Sequence, residues 1–361
     1  MKKVFNNAYP VSYLSKNTLL IFKGGVFKFL DIYTNKDRNL SKIKLSKVEK
    51  LFFLIPIIAR VLRFGIRCSI HLNRSTLLYV IRNTIYELNI IDGSISKGFS
   101  TNNNSRPLAF SQILGITGFE DGIYFGEYKS NSLKKPIAIY RRLSTDHWIK
   151  VFQFSDGTIE HIHHIVADKY NDTVFIFTGD FDNSAGIWIA KDNFSFVEPV
   201  LIGDQNYRGC VAFPTSNGII YATDSPFANN SIRILTKNFE NEWISKKVLS
   251  INGPSIYGCE WNGELVFSTS VEGDGRNQSI FYKFFGRKRG IGVKSSYSYV
   301  YKGNLEDGFR VIYKVKKDIL PFFLFQFGTL NFPSGINISK FLPIYHIATK
   351  RHSLGTLFLS D

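Results

Sequence analysis

A turn followed by a short aromatic and β-branched strand recurs along this chain at the spacing of one four-stranded sheet, and that repeat limits the fold more than any other feature. Its clearest copies are Asp121-Gly122-Ile123-Tyr124-Phe125, Asp172-Thr173-Val174-Phe175-Ile176, Asn217-Gly218-Ile219-Ile220-Tyr221 and Asn262-Gly263-Glu264-Leu265-Val266, whose starts lie 51, 45 and 45 residues apart. A propeller blade has that length. Gly24-Gly25-Val26-Phe27-Lys28-Phe29 and Asn83-Thr84-Ile85-Tyr86-Glu87-Leu88 read as earlier copies separated by an insertion. A second strand follows each polar tip, as in Ile137-Ala138-Ile139-Tyr140-Arg141, Gly186-Ile187-Trp188-Ile189-Ala190 and Ser279-Ile280-Phe281-Tyr282-Lys283. With 33 Phe and 18 Tyr in the chain, the composition favours sheets over helices.

The repeat predicts an all-β fold, a β-propeller of about six blades with five and seven as the neighbouring counts, running from about residue 17. Residues Leu324 to Asp361 supply strands that close the ring against the N-terminal one; closure removes open sheet edges. A β-solenoid would repeat at a much shorter period. Length alone, at 361 residues, suggests two domains. No Pro/Gly/Ser-rich linker marks a boundary, so residues 1–361 are read as one domain.

One helical signal interrupts the pattern, a basic insertion at residues 44–72. Its apolar run from Leu51 to Ala59 is broken by Pro56 and falls far short of the roughly 20 residues that a spanning helix needs. Arg60, Arg63 and Arg67 stand at i, i+3 and i+7, which would place them on one face of a helix lying in lipid headgroups, the expected membrane contact.

The formal charge of +16 favours polyanions. No nucleic-acid module accompanies it, so nucleic acid is not expected as a partner; a glycan, an activated sugar or an anionic membrane surface is. Cys68, Cys210 and Cys259 form no CxxC pair and no zinc-spaced cluster, and they suit reduced thiols in the cytoplasm. The residues after Met1 show no export signal. The expected location is therefore cytoplasmic, with the inner membrane face as its peripheral site. No cofactor and no metal are expected, and the sequence does not address the oligomeric state.

Polar residues that interrupt inner strands are the natural site candidates. Glu127, Asp180, Asp224 and Glu272 end four successive turn strands, so they could converge on one mouth of the channel and divide acid, base and nucleophile roles. The bland alternative is that such acids merely bind backbone N–H groups in turns. Alternation puts His161 and His163 on one strand face, with His164 on the other. Two same-face histidines can move protons, bind sugar hydroxyls or hold a metal, for which Asp180 or Asp182 is a third ligand. Among Arg106, Arg208 and Arg310, Arg208 sits in the most strand-like context and is expected to grip an anionic group. The catalytic set is thus Glu127, His163, Asp180 and Glu272, and the binding set is His161, Arg208, Asp224, Tyr257 and Gln326.

The ordered motifs Gly126-Glu127-Tyr128, His161-Ile162-His163, Thr178-Gly179-Asp180, Thr223-Asp224-Ser225-Pro226, Ser255-Ile256-Tyr257-Gly258, Thr269-Ser270-Val271-Glu272 and Phe325-Gln326-Phe327-Gly328 resemble those of bacterial sialidase-like propellers associated with surface-polysaccharide synthesis. The resemblance covers about two thirds of the chain, from Arg106 to Gly328, and it implies a glycan context. That wider class carries Asp-box turns, S-x-D-x-G-x-x-W; Ser144-Thr145-Asp146-His147-Trp148 is a shortened form and Lys191-Asp192-Asn193-Phe194 a more degenerate one. Sialidases also use an arginine triad with a Tyr/Glu pair, types that Arg106, Arg208, Tyr257 and Glu272 supply here, but sialidase activity is not carried over. Two functions from different classes follow. One is a carbohydrate-active enzyme that hydrolyses or transfers a glycosyl unit in polysaccharide synthesis; the other is a non-catalytic scaffold binding glycan or protein in the same setting.

Overall fold

The computed structural model describes residues 3–44, 46, 55–63, 65–101, 105–275 and 279–360. Within them the chain forms seven four-stranded antiparallel sheets. A first strand, β1 (Lys3–Phe5), precedes blade I, made of β2 (Ala8–Tyr13), β3 (Thr18–Lys23), β4 (Val26–Asp31) and β5 (Asp37–Lys42). Blade II is β6 (Ile66–His71), β7 (Thr76–Ile81), β8 (Thr84–Asn89) and β9 (Ile95–Ser100), and blade III is β10 (Phe110–Ile113), β11 (Gly122–Gly126), β12 (Ile137–Arg142) and β13 (Trp148–Phe154). Blade IV is β14 (His161–Asp168), β15 (Thr173–Gly179), β16 (Gly186–Lys191) and β17 (Phe196–Ile202), and blade V is β18 (Gly209–Thr215), β19 (Gly218–Thr223), β20 (Asn230–Lys237) and β21 (Trp243–Ile251). Blade VI is β22 (Tyr257–Trp261), β23 (Glu264–Ser268), β24 (Tyr297–Asn304) and β25 (Gly308–Lys316); blade VII is β26 (Thr329–Asn331), β27 (Phe341–Ile347) and β28 (Thr356–Ser360), completed by β1.

Burial explains the strand sequences. The second strand of each of blades I to VI lies between neighbouring blades and is covered on both faces, so β3, β7, β15 and β19 read as continuous apolar runs without alternation. The outermost strands β5, β17 and β21 are half exposed and mix polar with apolar residues. Each interface between adjacent blades has its own apolar core. Tyr124, Ile139 and Ile176 join blades III and IV, Phe177 and Tyr221 join IV and V, and Trp261, Val300 and Ile344 join VI and VII.

The last gap closes by pairing the two ends of the chain. Lys3, Val4 and Phe5 of β1 pair with Phe358, Leu357 and Thr356 of β28. Blade VII then docks on blade I through Tyr13 N–H to the Ser334 carbonyl, Ser334 N–H to the Val11 carbonyl, both 3.0 Å, and the Thr356 hydroxyl to the Ala8 carbonyl at 2.6 Å. Phe358 fills the seam core against Leu19, Ile21 and Leu30.

Several expectations need correction. The ring has seven blades, the upper of the counts expected beside about six, and it begins with β1, well before residue 17. Gly24-Gly25 and Asn83-Thr84 open β4 and β8, which are third strands of their blades, whereas the later copies of the repeat open second strands. Both hairpins use a polar turn before an aromatic strand, so the signal does not say which strand of the blade it opens; the six copies fall in blades I to VI, and the blade they miss is VII, which is completed by β1 from the other end of the chain. Ser279 to Lys283 is no strand: Ser279 caps a short helix spanning Ile280–Phe285, and the third strand of blade VI is β24.

The insertion is also smaller than expected. Residues 45, 47–54 and 64 lie outside the described residues, helix α1 covers Pro56–Val61 only, and β6 already takes Ile66–His71. Helix α2 is Ile280–Phe285 and α3 is Phe322–Phe325. Arg60, Arg63 and Arg67 therefore share no helical face. Arg60 is buried, bonded to Asp318 Oδ2 at 2.6 Å and to the Phe325 carbonyl. Arg63 follows the helix with φ 50°, and Arg67 belongs to a strand. Among the described residues no helix is long and apolar enough to cross a membrane.

If the β1–β28 seam holds the ring, Phe358→Ala should cost about 3 to 5 kcal/mol, the range for an emptied aromatic core site. Phe5→Ala, which removes the partly buried ring 5.5 Å away, should cost less. The midpoints of urea unfolding measure both.

Candidate functional site

Four innermost strands carry a bulge. Register slips between Pro10 and Ser12 in β2, Ile66 and Ser69 in β6, Ile162 and His164 in β14, and Gly209 and Val211 in β18. The residues left out of the ladders include Arg67, His163 and Cys210, and a bulge re-aims such side chains. Arg67 and Cys210 border a cavity of about 230 Å3 walled by blades I, II, III, V, VI and VII. Gly179 makes room for His163, because a Cβ there would overlap the imidazole.

A polar cluster stands behind the wall of this cavity and reaches it through Asp224 and Cys210. Asp180 follows the last residue of β15, and its Oδ1 lies 3.1 Å from His161 Nε2, 3.2 Å from His163 Nε2 and 2.9 Å from Arg208 Nη2. The same guanidinium nitrogen reaches Asp224 Oδ2 at 3.4 Å, and the Cys210 thiol donates to that oxygen at 3.1 Å. His161 Nδ1 faces the Lys129 carbonyl at 3.0 Å, while its Nε2 meets both Asp180 and His163. Tyr128 covers His161 with ring centroids 4.4 Å apart, and Arg106 lies over the Tyr128 ring.

The two carboxylates titrate in opposite directions. Burial alone would raise Asp180, but Arg208 and His161 outweigh it and hold the carboxyl well below the usual range. Asp224 rises from 3.8 to about 6, because burial exceeds the help from Arg208. Its Oδ1 is buried with no hydrogen-bond partner, as suits a protonated carboxyl. Glu272, bonded to the Ser270 hydroxyl, rises from 4.5 to about 8 through burial and the nearby Asp224 charge. Burial drops His163 to about 4 in spite of Asp180.

The expected residues divide. His161, His163, Asp180, Arg208 and Asp224 come together, and Glu272 feels the Asp224 and Arg208 charges. Tyr257 and Gln326 border the cavity, although Gln326 Nε2 also donates to the Arg60 carbonyl at 2.6 Å. The Glu127 carboxylate accepts from the Ser105 hydroxyl at 2.7 Å and the Ala138 N–H at 2.9 Å, fastening the end of β11. The Arg208 guanidinium pairs with two carboxylates, Asp180 and Asp224. Arg310 pairs with Glu264 on an outer strand.

Positive charge facing the cavity comes from Arg63, Arg67 and Arg106 instead. Burial and the neighbouring Arg106 lower Arg67 to about 10, and its buried Nε has no partner. Arg67, Cys210, Tyr128 and Asn331 were not expected at the site. The phase of β6 would have pointed to Arg67, but reading that segment as helix hid it.

Among the described residues two groups of side chains could hold a metal ion, His161 with His163 and Asp180, and His163 with Cys210 and Asp224. The first fits poorly. A guanidinium already lies 2.9 Å from the Asp180 oxygen, and His163 Nδ1 is buried without the acceptor that a metal-bound imidazole normally has.

No family model matches the sequence, and no curated protein does. Solved structures match in fold. An oligogalacturonate lyase in complex with manganese aligns at a TM-score of 0.56 and 11% identity, over 100% of this chain and 90% of that one. An oligogalacturonate lyase from Vibrio parahaemolyticus aligns at 0.58 and 10%, over 98% and 88%. A chain of the mitotic checkpoint complex aligns at 0.54 and 8%, over 99% and 93%. Such low identities establish the propeller and leave the chemistry to the site.

The raised Glu272 makes stability depend on pH in one direction. Between about pH 4.5 and 8 the folded protein keeps a proton that the unfolded chain releases, so stability falls as pH rises and then levels off. Glu272→Gln should flatten that fall and melt a few degrees above wild type at pH 8. Parallel calorimetric curves for the two proteins across this range would show that Glu272 is not so perturbed.

Proposed function

We propose that this protein acts on a glycosyl unit of an acidic saccharide held in the central cavity, with Asp224 as proton donor and Asp180 as the ionised carboxylate. The observation that carries this reading is the single Arg208 nitrogen between them. It lies 2.9 Å from one carboxylate and 3.4 Å from the other, while their proton affinities are driven apart. Two carboxyl groups separated in this way are the working parts of glycosyl chemistry.

Asp224 borders the cavity and, near pH 6, holds its proton about half of the time, which suits a group that must give and retake it. It protonates the glycosidic oxygen as the C–O bond breaks, then takes the proton from the incoming water or acceptor hydroxyl. Asp180 is too weak a base to compete. Its fixed negative charge serves the positive charge that develops on the sugar ring. His161 and Arg208 position Asp180, and His163, neutral above about pH 4, adds no charge there.

The rest of the cavity supports a saccharide ligand. Tyr9, Tyr128, Tyr257 and Tyr345 offer rings for sugar C–H faces, Asn331 and Gln326 offer amides for hydroxyls, and Arg63, Arg67 and Arg106 favour a ligand with an acidic group. The biological setting we propose is bacterial surface-polysaccharide synthesis on the cytoplasmic side, in keeping with the sequence resemblance.

Asp180→Asn and Asp224→Asn should each lower kcat at least about 100-fold and leave the binding of an acidic oligosaccharide, read by calorimetry, within a few-fold of wild type. Arg67→Ala should instead weaken that binding by about tenfold, the loss of one charged hydrogen bond. In the wild type, kcat/KM should fall as pH rises through about 6, where Asp224 loses its proton. Binding with no turnover by the wild type on any acidic glycan tried would replace the enzyme with a glycan-binding scaffold.

A further inference from the structure

One face of the molecule is apolar and basic at once. In α2, Tyr282 turns inward, its ring 5.8 Å from Phe323 of α3. Ile280, Phe281, Phe284 and Phe285 are left outside, exposed by 75, 71, 48 and 62%. Phe281 and Phe285 pack on each other at 5.0 Å between centroids. Helix α1 packs on the same α3 and exposes Ile57, Val61 and Leu62. Side chains of this size normally go inside, and a cluster of them marks a surface that meets something apolar. Basic residues flank it: Arg287, Lys288 and Arg289 directly follow α2, and Arg63 follows α1, all exposed.

We propose that this face binds the surface of an anionic lipid bilayer, with Phe281, Phe284 and Phe285 seated below the headgroups and Arg287 to Arg289 on the phosphates. The combination selects the occupant. A nucleic acid would satisfy the arginines and leave the phenylalanines in water. A second copy would cover the phenylalanines but bring two Arg287-Lys288-Arg289 runs together on chains of net charge +16. A bilayer surface takes both, apolar side chains a short way into the acyl boundary and cations in the negative headgroup layer. Helix α1 and the turn after α3 also border the central cavity through Ala59, Gln326 and Phe327. Docking would therefore bring the cavity close to the bilayer, where a lipid-linked chain would be presented. The inference does not depend on the roles given to Asp180 and Asp224.

Flotation of the full chain with vesicles tests it, using phosphatidylcholine alone and phosphatidylcholine with about 30 mol% phosphatidylglycerol. The wild type should float with the anionic vesicles at least about tenfold more strongly than with the neutral ones, and about 0.5 M salt should weaken binding. Phe281→Glu with Phe285→Glu should abolish flotation, and Arg287→Glu with Lys288→Glu and Arg289→Glu should reduce it to the neutral-vesicle level, both with unchanged melting temperature. In Phe281→Trp, which keeps the surface apolar, tryptophan emission should shift to the blue on anionic vesicles. Absence of wild-type flotation, equal flotation on both vesicle types, or a wild-type dimer that the Phe281/Phe285 variant dissolves without any vesicle binding would overturn the proposal.

Discussion

Closure of the ring is the constraint on which the other features rest. Every blade buries both faces of its middle strands against its neighbours, so a missing contact anywhere would expose two apolar sheet faces. The last contact is made by three residue pairs between β1 and β28 together with the hydrogen bonds and the Phe358 seam that dock blade VII on blade I. Closure also gives the innermost strands a common axis. Their first residues then face one another across a narrow space, and a bulge in one strand can aim a side chain at a residue from another blade.

That arrangement explains why so many ionisable groups sit together out of water. Asp180 and Asp224 come from the ends of equivalent strands in adjacent blades, and Arg208 enters from the residue just before the first strand of the second of these. One guanidinium cannot offset two buried carboxylates equally. It stays closer to Asp180, which also receives the two histidines, and leaves Asp224 and Glu272 with the cost of burial. The unequal sharing is what separates a carboxylate held ionised from one that keeps its proton to higher pH.

Charge in the cavity follows a separate logic. Arg63, Arg67 and Arg106 repel one another, and none of the charges that most affect Arg67 is a carboxylate. The protein therefore keeps two electrostatic zones on one axis, a balanced cluster in blades IV and V and a positive wall from blades II and III. An acidic ligand spanning them would meet attraction at one end and two carboxyl groups of unlike proton affinity at the other.

How much of this was legible in the sequence depends on the range of each interaction. Strand character, blade length and the positions of Asp180, Asp224 and the His161/His163 pair are local matters, since a turn residue, an alternation of two and a polar break at a strand end can be read within a few residues. Hairpins look alike wherever they occur in a blade, so Gly24-Gly25 and Asn83-Thr84 did not reveal that they open third strands, and the seventh blade emerged only when the sheets paired. The same limit hid Arg67, whose place in β6 comes from pairing with β7, and it misassigned Arg60, which Asp318 claims from across the ring. Glu127 and Asp180 carry the same charge at the same point of their blades. Tertiary structure alone decided that Ser105 and a backbone N–H occupy the first, while Arg208 and two imidazoles hold the second ionised beside Asp224. Burial and the distance to the nearest opposite charge are properties of the folded ring, and they set what each carboxyl group can do.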